Sequence, residues 1–395
     1  MTFPTSQSGS QQKQQPSSHW DIFCTVIDNY GDIGVTWRLA KQLADDFNIE
    51  VNLWVDDLHS FSHILPKLCP QTPVQCHQGV TIIHWTHPLP INWQPGLVLI
   101  EAFACELPQA ILSQLEQINT PPTWINLEYL SAESWIDDCH GLPSLQSNAI
   151  AKHFFFPGFS PKSGGLLCEH HLLAEVTQWQ ASAENRENLL ASLSIEGVKQ
   201  DDTLISVFSY ESPALQSLCQ LWQQSIKPVH ALIPMGRSLN SLSALLPIDS
   251  LAPGMTFTLG ALTIHILPMT DQDTYDRLLW SCDFNIVRGE DSFIRAQWAM
   301  RPFIWHIYAQ ENDIHLDKLS AFTQRYCKHL EQQTAKTWTA LNVAFNQDDA
   351  ESTASKWQEM DYSATEMQSH IKNWPVDAIN DADLATRLVQ FVKKG

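Results

Sequence analysis

Cys24-Thr-Val-Ile-Asp-Asn-Tyr-Gly-Asp-Ile-Gly34 carries an apolar run, Ile22–Ile27, through a glycine turn into a stretch whose Val35, Leu39, Ala40, Leu43, Ala44 and Phe47 share one helical face. The rest of the chain repeats this grammar. Strand-like runs follow at Val51–Val55, Thr81–Trp85, Leu97–Ala102, Thr123–Leu127 and His153–Phe156, and a second set at Leu204–Phe208, Val229–Ile233, Leu262–Leu267, Phe284–Val287 and Phe303–His306. Strands that are apolar throughout and separated by amphipathic helices belong to parallel sheets covered on both faces. A polar segment from Gln178 to Asp202 divides the two sets. The sequence therefore predicts an α/β chain of two doubly wound domains, over 19–180 and 200–365, that face a central cleft. It also predicts a disordered tail over 1–18, rich in Ser and Gln, and C-terminal helices over 366–395 whose packing partner it leaves open.

Composition narrows the class. A chain of 395 residues is too long for one ordinary core and suits two. No apolar run reaches the roughly 20 residues needed to span a bilayer. The first residues hold no basic segment followed by an apolar one, so no secretory signal is expected. The nine cysteines form no CxxC pair, which points to the cytoplasm and away from a disulfide framework. A formal charge of −20 excludes non-specific nucleic-acid binding and suits a cationic partner.

In doubly wound domains, ligands bind beyond the carboxyl ends of the strands. Two loops there carry chemistry. In the first, Gly31 and Gly34 permit a tight turn and a close ligand approach, while Asp28 and Asp32 end the strand. Two carboxylates repel phosphate and suit a cation or a sugar hydroxyl. Alternatively, Asp32 caps the following helix and Asp28 organises the turn. The spacing is not GxGxxG, so no dinucleotide fingerprint is present. The second loop is Phe284-Asn-Ile-Val-Arg-Gly-Glu-Asp-Ser-Phe-Ile-Arg-Ala-Gln-Trp298. A helix beginning near Asp291 or Ser292 offers backbone amides to an anion, and Arg288 can bridge phosphate oxygens. Glu290 and Asp291 then serve sugar hydroxyls or a cationic acceptor. Alternatively, the loop is a capping arrangement with Arg288 paired to an acid.

Other candidates carry less. Tyr210, in Phe208-Ser-Tyr-Glu211, could stack on a base, and Gln272 could read a base edge. His84-Trp-Thr-His87 and Cys168-Glu-His-His171 lack the remainder of a metal site, so no metal is expected.

Several longer motifs resemble those of the elongation factor P arginine rhamnosyltransferases. They are Asp28-Asn-Tyr-Gly-Asp-Ile-Gly-Val-Thr-Trp-Arg-Leu-Ala40, Trp124-Ile-Asn-Leu-Glu-Tyr-Leu-Ser-Ala-Glu133, Phe154-Phe-Phe-Pro-Gly-Phe159, Gly164-Gly-Leu-Leu167, Tyr275-Asp-Arg-Leu-Leu-Trp280 and Arg288-Gly-Glu-Asp-Ser292. The resemblance runs from about Trp20 to near the C terminus. It implies a GT-B architecture, dTDP-β-L-rhamnose as donor, an arginine of elongation factor P as acceptor, inversion at the anomeric carbon, and no cofactor or metal. By the same resemblance Asp32 is the base and Glu290 the second essential carboxylate. Asn29, Tyr30, Gly31, Tyr210, Gln272, Arg288, Gly289, Asp291 and Ser292 bind the donor, and Asp28 with Asp32 grips the acceptor. Where the family often stacks an aromatic on thymine, this chain has Met269. Two other functions fit the same architecture: a glycosyltransferase with a different donor or acceptor, and a non-catalytic nucleotide-sugar-binding adaptor.

Overall fold

Residues 18–27, 30–85, 93–118, 120–146 and 150–394 are described by the structure, a computed structural model. The tail expected over 1–18 thus lies outside the described residues except for Ser18. In the first half, eight strands form one sheet: β1 Trp20–Cys24, β2 Val51–Val55, β3 Val74–His77, β4 Val80–His84, β5 Val98–Ala102, β6 Thr123–Leu127, β7 Pro143–Leu145 and β8 Ala151–Phe155, in the order β3-β4-β2-β1-β5-β6-β8-β7. The second half forms a six-stranded sheet: β9 Thr203–Val207, β10 Val229–Pro234, β11 Thr256–Leu259, β12 Leu262–Leu267, β13 Phe284–Arg288 and β14 Phe303–His306, in the order β11-β12-β10-β9-β13-β14.

Both interiors are parallel and covered on each face, as continuous apolar strands require. Ile22, Cys24, Ile100 and Ile125 enter a core shared with the helix Gly31–Phe47, while Phe23, Leu99 and Trp124 enter the opposite one. Leu204 and Leu232 likewise part from Ile205, Val207, Ala231 and Ile233. Strands β3, β7 and β11 run antiparallel at sheet edges and were not predicted. They lack a continuous apolar run because one of their faces meets water; Leu145 is 80% exposed. The first strand is shorter than its apolar run. Beyond Cys24 the chain turns off the sheet, with the Val26 N–H donating to Asp56 Oδ1 at 2.9 Å and the Ile27 N–H to Asp32 Oδ2 at 3.2 Å.

Helix Leu172–Gln180, grouped by the sequence with the first domain, sends Leu172 and Val176 into the core of the second sheet. The C-terminal helices divide. Met367, Ile371 and Trp374 of Thr365–Ile379 pack on the second sheet, whereas Leu384, Ala385, Leu388 and Val389 of Leu384–Lys394 return to the first. Among the described residues, no helix is long and apolar enough to cross a membrane.

Candidate active site

β1 lies between β2 and β5, and β9 between β10 and β13. Each sheet therefore reverses its winding at its first strand, which opens a crevice beyond the carboxyl ends. The two crevices face each other. Tyr30, Gly31 and Ile64 form one wall of the cleft, and Phe208, Tyr210, Met269, Gln272, Arg288, Gly289, Glu290, Asp291 and Ser292 line the other. Every donor-side residue expected from the sequence is thus gathered here except Asn29, which with Asp28 lies outside the described residues.

Asp32 sits in the first turn of helix Gly31–Phe47 and is 4% exposed. It does not cap that helix. Its Oδ2 accepts the Ile27 N–H, and its Oδ1 accepts the Tyr129 hydroxyl at 3.2 Å. The Tyr129 ring is stacked on Phe103, with centroids 4.6 Å apart. Residue 130 reaches the opposite wall, where the Leu130 N–H donates to Glu290 Oε2 at 3.0 Å. Consecutive residues following β6 therefore hold one carboxylate from each domain. Burial, reinforced by the charges of Asp32 and Asp291, pushes the Glu290 carboxyl up to about 8, against the Leu130 hydrogen bond and Lys318.

The donor-side loop is shaped by its backbone. Gly289 turns with φ of +67°, a conformation costly for other residues, and its carbonyl accepts the Trp305 indole N–H at 2.9 Å. The helix Asp291–Trp298 follows at once; among the described residues no side chain caps its first amides, and Asp291 and Ser292 at its start line the cleft. The Arg288 guanidinium lies 4.4 Å from the Phe208 ring centroid and 4.8 Å from that of Tyr210, and its Nη1 donates to Ser209 O at 3.4 Å. Gln272 donates through Nε2 to Gly34 O at 2.9 Å and to Asp291 Oδ2 at 3.3 Å. Its Oε1 is buried with no hydrogen-bond donor among the described residues.

Tyr129, Leu130 and Trp305 were not identified from sequence. For the first two a signal existed: they follow an apolar strand at its carboxyl end, as both recognised loops do. The arrangement combines an anion site at a helix start, a cation beside it, and two carboxylates across the gap. It can hold a diphosphate against a cationic nucleophile.

Residues 20–393 match the family described as Elongation-Factor P (EF-P) rhamnosyltransferase EarP. A protein-arginine rhamnosyltransferase of Shewanella oneidensis is 58% identical over 388 residues, covering 96% of this chain and 98% of the relative. A solved structure described as the structural basis for EarP-mediated arginine glycosylation of translation elongation factor EF-P superposes with a TM-score of 0.67 at 34% identity, covering 96% of this chain and all of that one. A Rickettsia africae glycosyltransferase shares the fold, with a TM-score of 0.51 at 10% identity over 96% of this chain and 98% of its own. The chain belongs to the EarP family of elongation-factor P rhamnosyltransferases and is a glycosyltransferase of GT-B architecture.

Proposed function

We propose that this enzyme transfers L-rhamnose from dTDP-β-L-rhamnose to one arginine of elongation factor P in the cytoplasm, inverting the anomeric centre without a metal. The observation that carries this reading is the pairing of Asp32 and Glu290 across the cleft by Tyr129 and Leu130, beside the Arg288 helix start. Arginine stays protonated at neutral pH and attacks poorly, with a pKa above roughly 12. Facing carboxylates bind it as a cation and aim one nitrogen. Asp32 takes the proton from that nitrogen as its bond to the anomeric carbon forms and the carbon–oxygen bond to the diphosphate breaks. The departing charge is met by Arg288 and the amides at the start of helix Asp291–Trp298. The unpaired Gln272 Oε1 suits an imide N–H of the base, and Met269 offers a soft surface to its face. Single displacement requires no sugar–enzyme intermediate.

Incubation with elongation factor P and dTDP-rhamnose, followed by mass spectrometry, is expected to find one deoxyhexose on one arginine. Unmodified protein, or transfer only from another nucleotide sugar, would reject the assignment. An adaptor would bind dTDP-rhamnose and return it intact.

Two variants probe the parts. Arg288→Ala is expected to weaken dTDP binding about 10- to 100-fold in calorimetry, the loss of a charged hydrogen-bond donor. Unchanged affinity would remove Arg288 from the diphosphate site. Tyr129→Phe removes a donor that favours ionised Asp32. Its kcat should fall roughly 3- to 10-fold.

A further inference from the structure

Arg38 lies one turn beyond Gly34 on the helix that begins at the Asp32 loop, and it is 1% exposed. Its guanidinium crosses between the domains. Nη1 and Nη2 donate to the two oxygens of Asp276 at 2.9 Å each, and Nε donates to Asp291 Oδ1 at 2.6 Å. Arg295 meets Asp276 from its own domain, through Nε at 3.1 Å and Nη2 at 2.6 Å, and gives Nη1 to Glu169 at 2.6 Å. Charges therefore alternate from Asp291 through Arg38, Asp276 and Arg295 to Glu169. Burial alone would lower the Arg38 guanidinium and raise the Asp276 carboxyl; the facing opposite charges reverse both. The same helix face makes a second crossing at Gly34. A Cβ there would stand 3.2 Å from Gln272 Nε2 and 3.4 Å from Asp291 Oδ2.

Such an array is a weak device for stability, because desolvating these charges offsets most of their attraction. What it supplies is register. An apolar contact tolerates sliding, but Arg38 reaches both carboxylates only in one placement of its helix. Asp291 opens the donor-side helix, next to Glu290 and Ser292, and Asp32 lies on the Arg38 helix.

We infer that Arg38 is a positioning residue for the transfer: by gripping Asp276 and Asp291 it fixes the helix bearing Asp32 relative to the start of the donor-side helix. It touches neither sugar nor acceptor. The inference rests on assigning Asp32 and the loop 288–292 to the active site.

The test compares Arg38→Met with Arg295→Met, each confirmed as folded by circular dichroism. Both remove one buried guanidinium from Asp276, but only the first breaks the contact with the helix that bears Asp32; the second breaks the contact with Glu169, in the segment leading into helix Leu172–Gln180. Arg38→Met is expected to lower kcat about 100-fold, as expected for a misplacement near 1 Å. Its affinity for dTDP should fall much less than its kcat, because Arg288 and the helix amides remain even though Asp291 loses a partner. Arg295→Met should lower the melting temperature while keeping kcat. If Arg38→Met retains kcat, or if both variants lose it equally, Arg38 has no positioning role. A fall in kcat matched by an equal fall in dTDP affinity would likewise overturn it. Should Arg38→Met not fold, Arg38→Lys, which keeps the charge and reaches one carboxylate, carries the same comparison. Failure of the site assignment itself reads differently: Asp32→Asn would then stay active.

Discussion

Asp32→Asn is expected to lower kcat for arginine transfer about 10²- to 10⁴-fold, the usual contribution of a positioned base. The isosteric amide keeps one acceptor oxygen for the Ile27 N–H, and its NH2 can donate to the Tyr129 hydroxyl oxygen in place of the present bond, so the loop should keep its shape. It cannot take the proton that must leave the guanidinium. Binding of dTDP, proposed to lie on the other wall, should stay within about twofold because distant sites act independently. Single-turnover kinetics with elongation factor P, alongside calorimetry with dTDP, separate the two effects. Wild-type turnover in this variant would end the assignment of Asp32 as base.

Glu290→Gln is expected to move activity and stability in opposite directions. With its carboxyl pushed up to about 8 from the ordinary 4.5, Glu290 holds a proton near neutrality when the cleft is empty. The entering arginine cation stabilises the carboxylate and drives that proton off. Acceptor capture should therefore strengthen as pH rises toward about 8. The substituted amide keeps an acceptor for the Leu130 N–H but never becomes an anion. Transfer efficiency at neutral pH should fall roughly 10- to 100-fold, and the pH-dependent rise should disappear. The stability sign follows from proton counts. Between 4.5 and about 8 the folded protein carries a proton that the unfolded chain has lost, so wild-type stability declines as pH rises through this window. The amide has no such decline. Melting scans should find the variant gaining on the wild type as pH rises, with the largest advantage above about pH 8. A variant less stable than wild type at alkaline pH would show that Glu290 is a charged partner in the empty cleft.

Most parallel strands were legible because each is buried on both faces and is therefore apolar residue after residue. The edges were not legible: Val74–His77 and Thr256–Leu259 alternate between exposed and partly buried positions, and such short stretches resemble loops. Within the site, the loops after β1 and β13 could be read because a glycine turn, acids and a helix start follow an apolar run. Arg38 could not. Its partners Asp276 and Asp291 lie more than two hundred residues away, and locally it is one more arginine on an amphipathic helix. The resemblance to rhamnosyltransferases captured the surrounding motif without saying what Arg38 holds.

The return of Leu384–Lys394 to the first sheet bears on how the protein is made. N-terminal domains ordinarily fold as they emerge during synthesis at about 5–20 residues per second. Here Leu384, Leu388 and Val389 complete the core of the first sheet. That core stays open, its apolar seat vacant, until Leu384–Lys394 has been made. Cleavage before Leu384 therefore damages the core of the first sheet, although the cut lies beyond the second sheet along the chain.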